Sequence, residues 1–207
     1  MIRKILFIFL FLSYTLTSKA IHTEDIANYP ANKGWFMGAH IGTQYYFSEF
    51  NFHRYASIGY GFSSNAEGYV GKWISPLLAI RGNVSFNNVT SGEVVEQKKP
   101  KKPKIVTESF RMIHTGIDLI IDLRYLIKGR KYNYSFKPLM GVGYAFNTTK
   151  STNGLAISFG GINTWKINDR LNVNLETKLR LLEDKVDGYI DRDDTQFVIN
   201  AGLSYSF

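Results

Sequence analysis

The feature that most constrains the fold of this chain is a two-residue alternation of apolar and polar side chains. The final segment shows it most clearly, because every second residue from position 197 onward is apolar: Phe197, Ile199, Ala201, Leu203, Tyr205 and Phe207. Successive side chains of a β-strand point to opposite faces. The alternation therefore predicts a strand with one apolar face.

Seven further segments alternate in the same way, and residues beyond position 20 show no helical periodicity. The predicted strands are at about 34–47, 66–74, 78–87, 110–124, 135–147, 154–165, 170–182 and the segment ending at Phe207. The connections 48–65, 88–109 and 183–194 are long and polar, whereas 75–77 and 166–169 are tight. Long loops at one end and short turns at the other are typical of a transmembrane barrel.

The charged residues indicate which face of these strands meets lipid. Nine of them lie in predicted strands and are assigned to the polar phase: Lys72, Arg81, Asp118, Asp122, Arg124, Lys137, Glu176, Lys178 and Arg180. In the second strand this assignment puts Tyr69, Gly71 and Trp73 on the apolar face. A Lys or Arg on the lipid face near mid-bilayer costs about 2–4 kcal/mol. We therefore predict an all-β, eight-stranded antiparallel transmembrane β-barrel with its charges in the lumen.

The first 20 residues have the layout of a cleavable secretory signal peptide. A basic start containing Arg3 and Lys4 precedes an apolar run of about 12 residues, and Ser18 and Ala20 supply the small residues of a cleavage site. We expect residues 1–20 to be the signal, 21–33 a periplasmic N-terminal leader and 34–207 the barrel domain. The chain has no cysteine, which excludes disulfides and thiolate metal sites.

Two motifs resemble those of known outer-membrane proteins. The positions Asn200, Gly202, Tyr205 and Phe207 resemble the C-terminal signal that the barrel-assembly machinery recognises. The segment "GYVGKWISPLLAIRG" resembles strands two and three of small single-domain barrels in the OmpA-like family of Gram-negative bacteria. The resemblance implies a location in the outer membrane, contact with its lipid and lipopolysaccharide, and the assembly machinery as a partner. One departure from full OmpA proteins is that the predicted barrel occupies the sequence to Phe207, so we expect no peptidoglycan-binding domain.

The lumenal charges have two interpretations. They form a structural plug of ion pairs, because side chains just fill an eight-stranded barrel, or they act as a gate or catalytic pair. Asp118 and Asp122 are four residues apart on a strand, roughly 13–14 Å, which exceeds the ~5–9.5 Å between glycosidase carboxylates. His114 and Ser109 fall on opposite faces, and His40 is expected to fill the lumen. We predict no catalytic residue, metal site or cofactor.

The segment "EQKKPKKPK" is the most conspicuous part of a predicted loop. Its lysines are Lys98, Lys99, Lys101, Lys102 and Lys104. Like charges and two prolines favour an extended, solvated chain. On a cell surface these lysines are candidate contacts for lipopolysaccharide phosphates or acidic glycans, and export makes nucleic acid an unsuitable partner. We expect a non-enzymatic surface protein with long loops, and the alternatives are a narrow pore and a lipid A-modifying or lipolytic enzyme.

Overall fold

The computed structural model describes residues 34–47, 62–95, 104–126, 134–183, 186 and 194–207. Eight strands occupy these ranges: β1 (Gly34–Phe47), β2 (Phe62–Trp73), β3 (Leu78–Val95), β4 (Lys104–Ile121), β5 (Tyr134–Asn147), β6 (Thr152–Lys166), β7 (Leu171–Leu182) and β8 (Asp194–Ser206). A short 3₁₀ helix, Leu123–Leu126, follows β4. No helix in the described part of the chain is long and apolar enough to cross a membrane.

The strands form a closed antiparallel barrel in which each pairs with its neighbours in the sequence, and β1 pairs with β8. This arrangement confirms the predicted eight-stranded fold. The turns at 74–77 and 167–170 lie at one end, which we call the turn end. The connections 48–61, 96–103, 148–151 and 183–193 leave from the opposite end, which we call the loop end. The pairing of β1 with β8 closes the sheet of the described strands, as a sheet surrounded by lipid requires.

The outer face of the barrel is apolar over most of its height. Ile41, Phe86 and Ile117 are 73%, 60% and 59% exposed, although each lies in the middle of a paired strand. Soluble monomers rarely expose contiguous apolar surface on this scale. Outward aromatic pairs lie near both ends, Tyr45 with Phe62 at the loop end and Tyr134 with Trp165 at the turn end. Aromatic rings near both ends of the strands are typical of the aromatic girdles that barrels place at the two membrane–water interfaces.

The structure corrects the extent of several predicted strands. The predicted loop 88–109 is wrong over most of its length, because Thr90 pairs with Ser109 and the ladder continues to Val95 and Lys104. Only 96–103 separates the two strands. The second strand begins at Phe62 rather than at 66, and the fourth ends at Ile121 rather than at 124.

The predicted facing of the second strand was wrong. Tyr69 is buried in the lumen and Trp73 packs against a lumenal apolar cluster, while Val70 and Lys72 are exposed on the outside. Lys72 therefore does not belong to the lumenal charges. It lies one residue from the turn end of β2, with its Nζ 5.3 Å from the centre of the Trp35 ring. A lysine at this height can extend its ammonium to the aqueous interface.

Candidate functional site

A network of six charged side chains crosses the middle of the lumen. Three are carboxylates and three are cations: Glu67, Asp118, Glu176, Arg81, Lys178 and Arg180. They project from β2, β3, β4 and β7, and their side chains are at most 2% exposed. The equal numbers of opposite charges let the network fill a narrow interior without a net charge.

Arg81 is held by two carboxylates on different sides of the barrel. Its Nε and one terminal nitrogen donate to Asp118 Oδ2 at 3.1 and 2.5 Å, and its other terminal nitrogen donates to Glu176 Oε2 at 2.6 Å. Arg81 and Asp118 are cross-strand partners in the β3–β4 ladder. The guanidinium also lies 4.8 Å from the centre of the Tyr69 ring. Arg81 therefore joins one wall of the barrel to the other.

Glu67 makes the second connection across the lumen. It accepts hydrogen bonds from Lys178 Nζ at 2.8 and 2.9 Å and from Arg180 at 3.0 Å. Lys178 also lies 2.6 Å from Glu176, and Arg180 donates to Gln196 at 3.1 Å. Sequence reasoning missed Glu67 because it assigned β2 the opposite facing. That assignment left a carboxylate on the lipid face, which was the available signal of the error.

Lumenal glycines make room for these long side chains. A Cβ on Gly141 would collide with the Asp118 carboxylate, and one on Gly143 would collide with His114. The plug therefore needs glycine at these lumenal positions, because any side chain there would occupy the space of Asp118 or His114.

His40, Glu67 and Glu176 have donor atoms within 4.8 Å of one another, close enough for a metal ion. The two carboxylates, however, already accept hydrogen bonds from Arg81, Lys178 and Arg180. A divalent cation would have to displace or approach these positive charges. His40 Nε2 is 3.1 Å from the Tyr69 hydroxyl, which occupies the other side of the ring. The surroundings favour an ion-pair plug over metal ligation.

Apolar layers lie above and below the charged layer. Towards the loop end, a buried cluster includes Tyr46, Phe110, Met112 and Leu182. Towards the turn end, a second cluster includes Phe36, Tyr69, Ile120 and Ile162, among others. The charged layer thus lies between two clusters of buried apolar side chains.

The remaining predicted lumenal charges form a separate group at the turn end. Arg124 donates to Asp122 at 2.6 Å, and Lys137 lies over the Trp73 ring at 5.5 Å. Burial alone would raise the pKa of the Asp122 carboxyl, but the hydrogen bonds from Arg124 and the charges of Lys137 and Arg124 lower it below its ordinary value. The group therefore keeps a carboxylate ionised beside two cations, just beyond the end of β4.

The other predicted site residues lie in different places. Asn200 and Gly202 face the lumen, whereas Tyr205 and Phe207 face outwards with ring centres 5.3 Å apart. Lys98, Lys99, Lys101 and Lys102 lie outside the described residues, as do the signal and leader, 1–33. Lys104 is the first residue of β4. His114 is buried in the lumen and Ser109 is exposed outside, so they do not form a pair.

The comparison with solved structures agrees with this architecture, whereas two comparisons of the sequence found no match. No protein-family model matches the sequence, and no curated protein matches it significantly. Among solved structures, Neisserial surface protein A (NspA) is similar with a TM-score of 0.53 at 11% identity, over 84% of this chain and 97% of that one. A major outer membrane protein from Thermus thermophilus gives 0.53 at 12% identity, over 84% and 100%.

The N-terminal β-barrel domain of OprF from Pseudomonas aeruginosa is similar with a TM-score of 0.50 at 8% identity, over 84% of this chain and 98% of that domain. At such identities the likeness concerns the fold. It agrees with the closed eight-stranded meander described above. The chain therefore has the fold of the small eight-stranded outer-membrane β-barrels.

Proposed function

We propose that this protein is a non-enzymatic outer-membrane protein whose barrel is a closed anchor for surface loops. The observation that carries the proposal is the lumenal plug. Six charges paired across the described part of the barrel, with an apolar cluster on each side, support a closed interior. Eight-stranded barrels are just wide enough for side chains to fill, whereas porins that hold water have 16–18 strands.

Conductance measurements on the full chain in planar bilayers test the closed barrel. We expect no steady current from the unaltered protein, because opening a path requires separating ion pairs that are excluded from water. The competing function is a narrow pore for small solutes. Steady unitary currents that change when Arg81 or Glu176 is substituted by glutamine would contradict the closed anchor and support the pore.

We propose that the loops are the part of the chain that binds other molecules. The connections β1–β2, β3–β4 and β7–β8 all leave from the loop end, opposite the short turns. β3 and β4 are the longest of the described strands, with 18 residues each, and four of the five clustered lysines fall in the sequence 96–103 that connects them. The charge of these lysines suits the phosphates of lipopolysaccharide or acidic glycans.

Trypsin treatment of intact cells tests the exposure of this hairpin. Trypsin does not cut before proline, so we expect cleavage after Lys98, Lys101 and the first residue of β4, Lys104, with the rest of the strands protected. Cleavage that occurs only after the outer membrane is permeabilised would contradict a surface location for this loop.

Binding to lipopolysaccharide tests the role of the lysines. We expect replacement of Lys98, Lys99, Lys101, Lys102 and Lys104 by glutamine to weaken binding of the purified protein. Dephosphorylated lipopolysaccharide should bind equally weakly to both proteins. A control with Lys166 and Arg170 changed to glutamine alters charge at the turn end alone. Equal loss in the control would indicate a general charge effect and oppose the loop proposal.

An outer-membrane enzyme acting on lipid A is the remaining alternative. It requires a histidine and a nucleophile together at the loop end, and His114 and Ser109 are separated by the barrel wall. We expect cells that overproduce the chain to have lipid A of unchanged mass. A new lipid A species would require an enzymatic function instead.

A further inference from the structure

A cavity of about 410 Å³ opens at the turn end of the lumen, beyond the charged plug. Phe36, Trp73, Ile120 and Ile162 supply apolar walls. The turn residue Arg170 lies at its mouth. The volume is within the range of sites for small molecules, which are mainly apolar with a few polar groups. This cavity has no part in the loop function proposed above.

The lining of the cavity is strongly basic. Five cationic side chains contribute to it, Arg81, Arg124, Lys137, Lys166 and Arg170, against one carboxylate side chain, Asp169. The plug neutralises Arg81 through Asp118 and Glu176. Arg124 is paired with Asp122 at 2.6 Å, and Lys166 is paired with Asp169 at 2.7 Å.

Lys137 differs from these paired cations. It projects into the lumen from β5, and no carboxylate oxygen of the described chain lies within 4.0 Å of its Nζ. Its Nζ lies 5.5 Å from the centre of the Trp73 ring. The neighbouring Asp122 carboxylate is already engaged by Arg124. A cation in a partly enclosed, aromatic-walled cavity gains most from an anionic partner, because the low local dielectric strengthens the attraction.

We propose that the turn-end cavity binds a small anion that carries an apolar group, such as an aryl or short acyl phosphate or carboxylate. Lys137 binds the anionic group, and Trp73 and Phe36 contact the apolar group. Ser135, which also lines the cavity, supplies a buried hydroxyl group that can donate to the anion, whereas the Thr164 hydroxyl already donates to Asn174 at 3.0 Å. The orientation of an outer-membrane barrel with short turns in the periplasm makes this a periplasmic site.

Tryptophan fluorescence provides the test, because the chain has three tryptophans and Trp73 alone lines the cavity. The full chain with Trp35→Phe and Trp165→Phe retains Trp73 as its only tryptophan. In phosphatidylcholine nanodiscs, phenyl phosphate should quench this fluorescence saturably. Phenol and inorganic phosphate should each bind at least tenfold more weakly, because each supplies half of the recognised chemistry.

Two comparisons connect the signal to the site. Lys137→Met should weaken phenyl phosphate binding at least tenfold, whereas Lys150→Met at the loop end should leave it unchanged. Since Lys137→Met can impair assembly, Ser135→Ala provides a second measurement with Trp73 and every lysine intact, and it should weaken phenyl phosphate binding.

Phosphatidylglycerol added to the nanodiscs distinguishes a lipid headgroup from a free solute. Competition with phenyl phosphate identifies the natural anion as a headgroup, and the lack of competition identifies it as a soluble anion. Both results retain the anion site. Absence of saturable Trp73 quenching, or equal binding by the Lys137→Met and Lys150→Met proteins, would overturn the proposal.

Discussion

Replacing Glu67 by glutamine removes the carboxylate that both Lys178 and Arg180 contact across the lumen. Glu67 accepts from these cations at 2.8–3.0 Å, and its side chain is fully enclosed. Lys178 keeps Glu176 as a partner, whereas the carboxylate partner of Arg180 in this network is lost. Removing one partner of a buried ion pair costs about 3–5 kcal/mol, because the other charge is left uncompensated.

Urea unfolding of the full chain in phosphatidylcholine vesicles, followed by tryptophan fluorescence, measures this cost. A loss of about 3–5 kcal/mol corresponds to more than a hundredfold change in the unfolding equilibrium. The matched control is Asp169→Asn. The Asp169 side chain is 96% exposed and pairs with Lys166 at a similar distance, 2.7 Å. Exposed pairs contribute about 1 kcal/mol or less, so the control should remain close to the unaltered protein.

A double variant separates the loss of a charge pair from a general packing defect. Adding Arg180→Gln to Glu67→Gln removes a cation that the first change leaves uncompensated. The combined cost should therefore be smaller than the sum of the two single costs. Additive costs, or a Glu67→Gln cost below about 1 kcal/mol, would refute the view that the cross-barrel network holds the lumen together.

Two further predictions concern the faces of the barrel. Leu119→Arg on the outer face of β4 should impair assembly, since a lipid-facing arginine costs up to about 2–4 kcal/mol, whereas Asn172→Arg near the turn-end mouth should be tolerated. Heat-dependent gel mobility of the folded barrel reports both, and equal effects would mean that the facing of these strands is wrong. Gly141→Ala should lower the folded yield, because a Cβ there meets the Asp118 carboxylate, while Gly68→Ala should be harmless, since nothing lies within 4 Å of its added Cβ. Equal yields in the same gel assay would show that the plug does not need the space at Gly141.

The facing of most strands could be predicted because hydrophobicity and charge agreed. β4 has Ile113, Ile117 and Leu119 in one phase and Asp118 in the other, so both signals give the same answer. In β2 they conflicted. The outer phase contains Ala66 and Gly68, which carry little hydrophobic signal, while the large rings of Tyr69 and Trp73 belong to the lumen. Only the Glu67 carboxylate resolves the conflict.

Contacts across the lumen were beyond sequence reasoning for a different reason. A meander specifies which strands are neighbours, so Arg81 and Asp118 could be placed on adjacent strands. Glu67 and Lys178 are 111 residues apart and meet across the interior. Their contact depends on the relative heights of non-neighbouring strands, which the register around the whole barrel determines. The extension of β3 beyond residue 87 likewise depends on pairing with β4. Its residues are mostly polar, so they do not show the alternation of apolar and polar side chains from which the other strands were predicted.

The most direct test of the central claim is a solid-state NMR measurement of the ion pairs in the full chain in a lipid bilayer. Carbon–nitrogen dipolar transfer between glutamate carboxyl carbons and lysine Nζ should give two cross-peaks for Lys178, one from Glu67 and one from Glu176. The Glu67→Gln protein should lose one of them. A single cross-peak that survives this substitution, or none at all, would contradict a lumen closed by charges paired across the barrel.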